Sequence, residues 1–188
     1  NWDSKSQQFA AEYRISHDKY AAERDLHRIP LVIERNEYYL SPGEHNEVQA
    51  AVVEEFAPVF APGGRLLYIG DTEDKNLYID NCRLETLRLP VTEHSKLPDI
   101  IISNDKREWL FLVEVVTSHG PMSAKRVIEL EELTKDCPYG IVYVTAFPNA
   151  KEFKKYIDEI AWETEVWLAD TPAHMIHFNG DRFIGPRK

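Results

Sequence analysis

Two apolar runs joined by a short polar segment constrain the fold of this 188-residue chain more than any other feature. The runs are 99-DIIIS-103 and 109-WLFLVEVV-116, and the segment between them is 104-NDKRE-108. Short runs rich in β-branched and aromatic residues are typical of strands, and a short polar connection is typical of a hairpin. The pattern therefore predicts a β-hairpin over residues 99–116.

The register of this hairpin brings two carboxylates together. If Asn104 lies opposite Trp109, the pairing carried outward places Asp99 opposite Glu114. Directly opposed residues on one face of a sheet have Cβ atoms about 4.5–5.5 Å apart. Two carboxylates at that separation repel each other, and a cation between them reverses the sign of the interaction. Oxygen ligands so placed suit Mg²⁺, which keeps several waters and binds phosphate oxygens.

A purely structural explanation of the same two residues stands beside the metal site. One carboxylate can point outward while the other caps a turn. However, Glu114 is the only charge in the run from Trp109 to Val116, and near-continuous hydrophobicity marks a strand covered on both faces. An unpaired carboxylate is costly there. The residues alone leave both interpretations open.

A helix start is indicated just after residue 40. Ser41 is a suitable N-cap, Pro42 suits the first helical position, and Glu44 completes a capping box. Pro58 is expected to end the helix. Apolar residues at a spacing of four predict its buried face: Val48, Val52 and Phe56.

The rest of the chain alternates strand and helix patterns, whereas residues 71–97 look mostly irregular. Strands are expected at Leu66–Ile69, Leu77–Ile79, 140–147 and 164–170. Helices are expected after Ser123 (inner residues Val127, Leu130 and Leu133) and after Asn149 (Phe153, Ile157 and Ile160), and residues 4–28 carry a weak helical stripe of Phe9, Tyr13 and Tyr20. The order predicts one mixed α/β domain, with the hairpin in a central sheet and helices on both faces.

Composition narrows the class of protein. The formal net charge of −10 argues against a general nucleic-acid coat, but it allows an enzyme that meets nucleic acid through a local basic patch and bound cations. No apolar run approaches the roughly 20 residues that span a bilayer. We interpret the two cysteines, Cys82 and Cys137, as reduced thiols and expect a cytoplasmic protein that does not contact a membrane.

Longer sequence blocks resemble a known family. Pro98-Asp99, fourteen intervening residues and Glu114 resemble the signature of the PD-(D/E)XK nucleases. Around them, "SPGEHNEVQ", "LLYIGDT", "KLPDIII", "WLFLVEVVTSHGP" and "HMIHFNGDRF" are similar to the BsuBI/PstI family of type II restriction endonucleases. The likeness runs from about Leu40 to the C-terminus.

The resemblance implies a fold and an activity. It implies a restriction-endonuclease-like mixed sheet flanked by helices, and Mg²⁺-dependent cleavage of double-stranded DNA within the palindrome CTGCAG. A palindromic target implies a homodimer. Members of the family carry a helical domain ahead of the nuclease domain. We therefore expect residues 1–39 to be an extension that includes the end of such a domain, and residues 40–188 to be the nuclease domain.

The resemblance also assigns roles to residues. It makes Asp99 and Glu114 catalytic metal ligands, but Val116 stands two residues after Glu114 where the superfamily has Lys. Lys125, which would lie beside Arg126 in the first turn of a helix, is our candidate for the third catalytic residue, because cations there call for a nearby anion such as phosphate. The alternative is that both are solvated surface charges. Lys75 and Lys96 rank behind Lys125 as sources of the ammonium.

Further ligands and base-reading residues are less constrained. Glu47 is our candidate for a third metal ligand, with an ordinary boundary glutamate as the alternative, and Asp71 is a weaker candidate facing the same cavity. His119 is a candidate for a phosphate hydrogen bond, with a structural loop histidine as the favoured alternative. Base recognition needs Arg, Lys, Asn or Gln side chains in a groove. Two segments offer them: residues 71–97, with Lys75, Asn76, Asn81, Arg83 and Arg88, and the tail, with Asn179 and Arg182.

Two other functions fit the same pattern. One is a repair or junction-resolving nuclease of the same fold. The other is a DNA-binding module that has lost catalysis, which the valine at position 116 and the net acidity allow.

Overall fold

The computed structural model describes residues 5, 13–14, 19–73, 75–92, 95–118, 120–180 and 185–186, of which residues 19–26 are helical. The strands are β1 (Ile29–Ile33), β2 (Asn36–Leu40), β3 (Arg65–Ile69), β4 (Tyr78–Ile79), β5 (Ile100–Asn104), β6 (Trp109–Val115), β7 (Gly140–Phe147), β8 (Thr164–Leu168) and β9 (Met175–Phe178). The helices are α1 (Glu44–Ala51), α2 (Ala57–Phe60), α3 (Asn81–Thr86), α4 (Ala124–Thr134) and α5 (Ala150–Tyr156).

Within the described residues, seven strands form one mixed sheet in the order β4-β3-β5-β6-β7-β8-β9. β5 is antiparallel to β3 and β6, whereas β6, β7 and β8 run parallel to one another. β1 and β2 pair with each other as a separate hairpin. The predicted mixed sheet flanked by helices is thus confirmed.

The central hairpin has the predicted register. Asn104 pairs with Trp109 and Ile100 with Val113, so the next pair outward is Asp99 and Glu114. On its other side, β6 pairs with β7 as far as Val115, two residues beyond its last pair with β5. Strands lie on both sides of the hairpin, which therefore occupies the middle of the sheet.

The sheet is covered on both faces. Phe56, Phe111 and Trp167 pack together on the face next to α1, with ring centroids 5.7–5.9 Å apart in edge-to-face geometry. Val127 and Leu130 of α4 are buried on the other face. Double coverage explains why the hairpin strands are almost entirely apolar.

The start of α1 differs from the prediction. The helix begins at Glu44 with Gly43 as N-cap, and no side chain caps it. The hydroxyl of Ser41 instead donates to Oδ2 of Asp71 at 2.6 Å, and the Ser41 N–H donates to Oδ1 at 2.9 Å. Ser41 therefore bonds to a buried carboxylate thirty residues further along the chain instead of capping the helix.

The helical segment continues through Pro58 instead of ending there. Residues Val52–Phe56 form a π-helical turn, in which the Ala57 N–H bonds to the Val52 carbonyl five residues earlier, and α2 follows. This wider turn accommodates the proline, which lacks an N–H and disrupts regular i→i−4 bonding. The predicted inner stripe is confirmed, since Val48, Val52 and Phe56 are all buried.

Both predicted helix caps further along the chain are confirmed. Ser123 accepts a hydrogen bond from the Arg126 N–H, and Asn149 accepts from Lys151 and Glu152. Ile157 is an error of the prediction: it is exposed, because α5 ends at Tyr156 and a 3₁₀ turn follows.

Four short elements and one helical stripe differ from the sequence prediction. β1–β2, α3 and β9 were not predicted, and each is short. Tyr13 and Tyr20 are exposed, so they do not form a buried stripe, and Phe9 lies outside the described residues.

The hairpin β1–β2 shares the main hydrophobic core. Leu31, Ile33 and Leu40 are buried in the same cluster as Phe111 and Trp167. This hairpin therefore packs with the sheet rather than apart from it. The division of the chain at residue 40 stays a prediction.

Candidate active site

Asp99 lies where β5 separates from β6. Its Oδ2 accepts a 2.7 Å hydrogen bond from the Val115 N–H, and its backbone carbonyl accepts one from Gly70 at 3.1 Å. The residue before it is Pro98, which has no N–H to contribute to a ladder. β6 extends to Val115, beyond its last pair with β5, and the Asp99 carboxylate accepts the Val115 N–H in place of a strand partner. This hydrogen bond fixes the carboxylate beside β6.

Glu114 is the opposed carboxylate, with only 14% of its side chain exposed. Its pKa is raised from 4.5 to about 7, chiefly by burial and then by the negative charge of Asp99, while Arg126 acts in the opposite direction. The two carboxylates are thus close enough to interact electrostatically. Their closeness is what the hairpin register predicted.

Arg126 holds Glu114 from the first turn of α4. Its Nε donates to Oε1 of Glu114 at 2.7 Å, and Nη2 lies 2.7 Å from the same oxygen. Nη2 also donates to the Leu97 carbonyl at 2.9 Å, and Nη1 to Oε2 of Glu129 at 3.2 Å. One guanidinium therefore connects β6, α4 and the segment that leads into Asp99.

Among the described residues, the cation bonded to Glu114 is Arg126, whereas its neighbour Lys125 is exposed. A signal for this was present in the sequence. Arg126 precedes Leu130 by four residues and Leu133 by seven, so it belongs to the inner stripe of α4. The role predicted for Lys125 as a catalytic residue stays a prediction.

Val116, at the position of the superfamily lysine, is fully buried. It packs in an apolar cluster with Phe147, Phe153 and Ile160. An ammonium at this position would lie in that apolar cluster rather than in water. Position 116 therefore contributes no positive charge to the site.

A cavity of about 920 Å³ opens beside Asp99. His45 and Gln49, one turn apart on α1, line one wall, and Nε2 of His45 lies 3.5 Å from Oδ1 of Asp99. The sequence prediction missed both residues. Glu47, the predicted ligand on this helix, is exposed and is not part of the lining, so its role as a metal ligand stays a prediction that no contact supports.

The two lysines ranked behind Lys125 in the sequence prediction lie at the cavity but are largely exposed. Lys75 and Lys96 both line it. Lys96 is bonded to Glu129 at 3.0 Å and its side chain is 72% exposed, while Lys75 is exposed. His119 lies outside the described residues.

Asp71 lines the same cavity but has a structural role. Besides Ser41, its carboxylate accepts from Nδ2 of Asn46 at 2.5 Å and from the Glu73 N–H at 3.0 Å. It therefore joins the start of α1 to the loop after β3.

The candidate base readers fall into two groups. Asn76 and Asn81 line the cavity. Arg83 does not: its Nη2 donates to Asp105 at 2.6 Å and to the Tyr139 hydroxyl at 3.0 Å. The others are Arg88, exposed in a turn; Asn179, buried; and Arg182, outside the described residues.

The two opposed carboxylates fit a divalent ion. In the part of the chain that the structure describes, no group of three or more His, Cys, Asp or Glu side chains is arranged as a metal site. Mg²⁺, however, is commonly bound by one or two carboxylates, with waters and substrate oxygens completing its shell. A cation would also offset the repulsion and burial that raise the pKa of Glu114.

The fold has a counterpart among solved structures. The structure of SdaI restriction endonuclease superposes with a TM-score of 0.79 at 41% sequence identity, covering 88% of this chain and 52% of that one. The mixed sheet with its central hairpin is thus a restriction-endonuclease fold.

The chain belongs to the BsuBI/PstI restriction endonuclease domain family, which matches residues 29–181. It is 47% identical to the type II restriction enzyme BsuBI of Bacillus subtilis over 186 residues, which are 98% of this chain and 59% of that protein. It is 28% identical to the type II restriction enzyme AplI of Arthrospira platensis over 184 residues, which are 94% of this chain and 56% of that protein. The chain thus spans little more than half the length of these relatives.

Type II restriction endonucleases generally use divalent metal ions.

Among the described helices, none is both long and apolar enough to cross a bilayer.

Proposed function

We propose that this chain is the nuclease part of a type II restriction endonuclease, and that it hydrolyses a phosphodiester bond of double-stranded DNA at a palindrome such as CTGCAG. The observation that carries the proposal is the closeness of Asp99 and Glu114, one residue beyond the last pair of the central hairpin, in a chain of the BsuBI/PstI family. Asp99 lines a cavity of about 920 Å³, and Glu114 lies behind it, outside the lining. The remaining polar lining, including Asn76 and Asn81, supplies groups that can contact nucleotides.

Asp99 and Glu114 are the residues that would hold Mg²⁺. When bound, such an ion lowers the pKa of a coordinated water and stabilises negative charge on phosphate oxygens. The protein orients both ligands in advance. The Val115 N–H fixes Asp99, and Arg126 fixes Glu114.

In the proposed reaction, the oxygen of a water molecule bonds to phosphorus and the bond from phosphorus to the leaving oxygen breaks. One proton of the water passes to solvent, and the leaving oxygen takes a proton from solvent. Arg126 supplies a permanent positive charge next to Glu114, which offsets negative charge that develops on the phosphate. Lys125, exposed one residue before it, is our proposed third catalytic residue, which would contact a phosphate of the DNA.

The assembly follows from the target. A palindrome has two-fold symmetry, so we propose a homodimer in which each subunit cuts one strand. We place the enzyme in the cytoplasm, where Cys82 and Cys137, both unpaired thiols, would stay reduced.

Cleavage of a plasmid with mapped CTGCAG sites tests the proposal. We expect discrete bands in Mg²⁺, none in EDTA, and none with Asp99→Asn or Glu114→Gln, while both variants keep the folded circular dichroism spectrum. Mg²⁺ should raise the Tm of the wild type but not of Asp99→Asn. Full cutting by either variant would refute the metal site, and a smear would indicate another kind of nuclease. No cutting and no heat of Mg²⁺ binding would indicate an inactive module.

A further inference from the structure

Gln49 has an unsatisfied side-chain oxygen in the wall of the cavity. The residue is 1% exposed, and its Oε1 has no hydrogen-bond partner among the described residues. A buried polar atom without a hydrogen-bond partner destabilises the folded state. Because Gln49 lines the cavity next to Asp99, a molecule that enters the cavity can supply the missing donor.

His45 faces the same space. It precedes Gln49 by four residues on α1, and residues at this spacing lie on one face of a helix. Its Nε2 lies 3.5 Å from Oδ1 of Asp99, whose other oxygen accepts the Val115 N–H. An amide, an imidazole and a carboxylate thus border one part of the cavity.

This set of groups matches the needs of a water molecule. An ordered water in a protein makes two to four hydrogen bonds, and it can donate and accept at once. The strand that carries Glu114 offers no polar side chain at position 116, since Val116 is enclosed by apolar residues. Beside the Asp99 carboxylate, α1 contributes two polar groups at this site, the amide of Gln49 and the imidazole of His45.

We propose that Gln49 and His45 bind the water molecule that attacks the phosphodiester, an inference that rests on the proposed function. The water donates one hydrogen to Oε1 of Gln49 and accepts a hydrogen bond from Nε2–H of His45. Its second lone pair bonds to phosphorus as the bond to the leaving oxygen breaks, so this water is separate from those that a bound ion would coordinate. The water's other hydrogen passes to solvent as a proton, and solvent protonates the leaving oxygen.

The decisive variant is Gln49→Leu, which removes the amide and keeps the approximate volume. We expect kcat to fall roughly 10²-fold, as for loss of one positioned hydrogen-bonding group, with KM for the duplex unchanged. The Tm should stay the same or rise, because an unpaired buried oxygen is lost. DNA affinity measured by fluorescence anisotropy without divalent ions should not change.

Thr134→Val on α4 is the matched control. Thr134 is also buried, but its hydroxyl donates to the Leu130 carbonyl at 2.8 Å and does not line the cavity. This variant should lower the Tm by about 2–4 °C and leave kcat unchanged. At the second position, His45→Gln, which keeps a donor, should retain more of the rate than His45→Ala.

The outcomes separate this inference from the proposed function. If Gln49→Leu cuts at the wild-type rate while Asp99→Asn is inactive, the water site is wrong and the nuclease assignment stands. A drop in Tm for Gln49→Leu as large as that for Thr134→Val would show that Gln49 is structural, which also overturns the inference. If Asp99→Asn cuts normally, the proposed function itself fails.

Discussion

Arg126 and Glu114 meet at a single oxygen, with Nε and Nη2 of the guanidinium both 2.7 Å from Oε1 of the carboxylate. Both side chains are largely buried, at 17% and 14% exposed. The guanidinium partly offsets the charge of a carboxylate that faces Asp99 across the hairpin. It does so from a helix, whereas the superfamily lysine would come from the strand.

Removing this guanidinium should cost both stability and rate. We expect Arg126→Met to lower the free energy of unfolding by about 2 kcal/mol, because it leaves Glu114 buried without its partner, and to lower kcat roughly 10²-fold. Urea unfolding and single-turnover cleavage measure the two effects. The double variant Arg126→Met/Glu114→Leu should recover part of the stability and none of the activity. Wild-type stability and rate in Arg126→Met would contradict this role.

The raised pKa of Glu114 gives the metal-free protein an unusual dependence of stability on pH. Between about 4.5 and about 7, the folded state holds a proton on Glu114 that the unfolded state has lost. Stability from this group is therefore present below pH 4.5 and is lost as pH rises to about 7, by roughly 3 kcal/mol. Urea unfolding in EDTA at several pH values measures the slope. Glu114→Gln should flatten it, and an unchanged slope in that variant would assign the effect to another group.

Restoring the superfamily lysine should fail. Val116→Lys places an ammonium among Phe147, Phe153 and Ile160, and we expect a loss of about 4 kcal/mol of stability and no gain in activity. Val116→Ala, which only opens a cavity, should lose about 2 kcal/mol and keep kcat. Thermal unfolding and cleavage assays separate the two. Faster cutting by Val116→Lys would show that the strand position can still serve catalysis.

Asp71 should matter for stability although it lines the cavity. Asp71→Ala removes the acceptor of the buried Ser41 N–H and hydroxyl, and one of the acceptors of the Asn46 amide, so we expect a loss of about 3 kcal/mol. Asp25→Ala, which removes an exposed carboxylate 2.9 Å from Arg28, should change stability by less than about 0.5 kcal/mol. Equal effects of the two substitutions in urea unfolding would contradict the structural role of Asp71.

The paired carboxylates could be predicted because strand pairing is a local property. Once a short polar turn joins two apolar runs, the register of Asn104 with Trp109 determines which residues oppose each other further out. The apolar stripes of α1 and α4 follow from helical periodicity in the same way.

The surroundings of those carboxylates depend on tertiary contacts between residues far apart in the sequence, which local patterns do not predict. The Ser41 hydroxyl hydrogen-bonds to Asp71, thirty residues further along the chain, and therefore does not cap α1. His45 and Gln49 reach the cavity because α1 packs across the sheet, which no local pattern specifies. The position of Arg126 follows from helical periodicity, because it lies four residues before the buried Leu130 on α4.

The position of the hairpin in the middle of the sheet affects how the protein loses its structure on heating. Amides of β5 and β6 have hydrogen-bonded neighbours on both sides, so they should be among the last to exchange with deuterium. Fraying at the edge strands β4 and β9 leaves the two carboxylates opposed. Heat inactivation should therefore follow global unfolding rather than precede it.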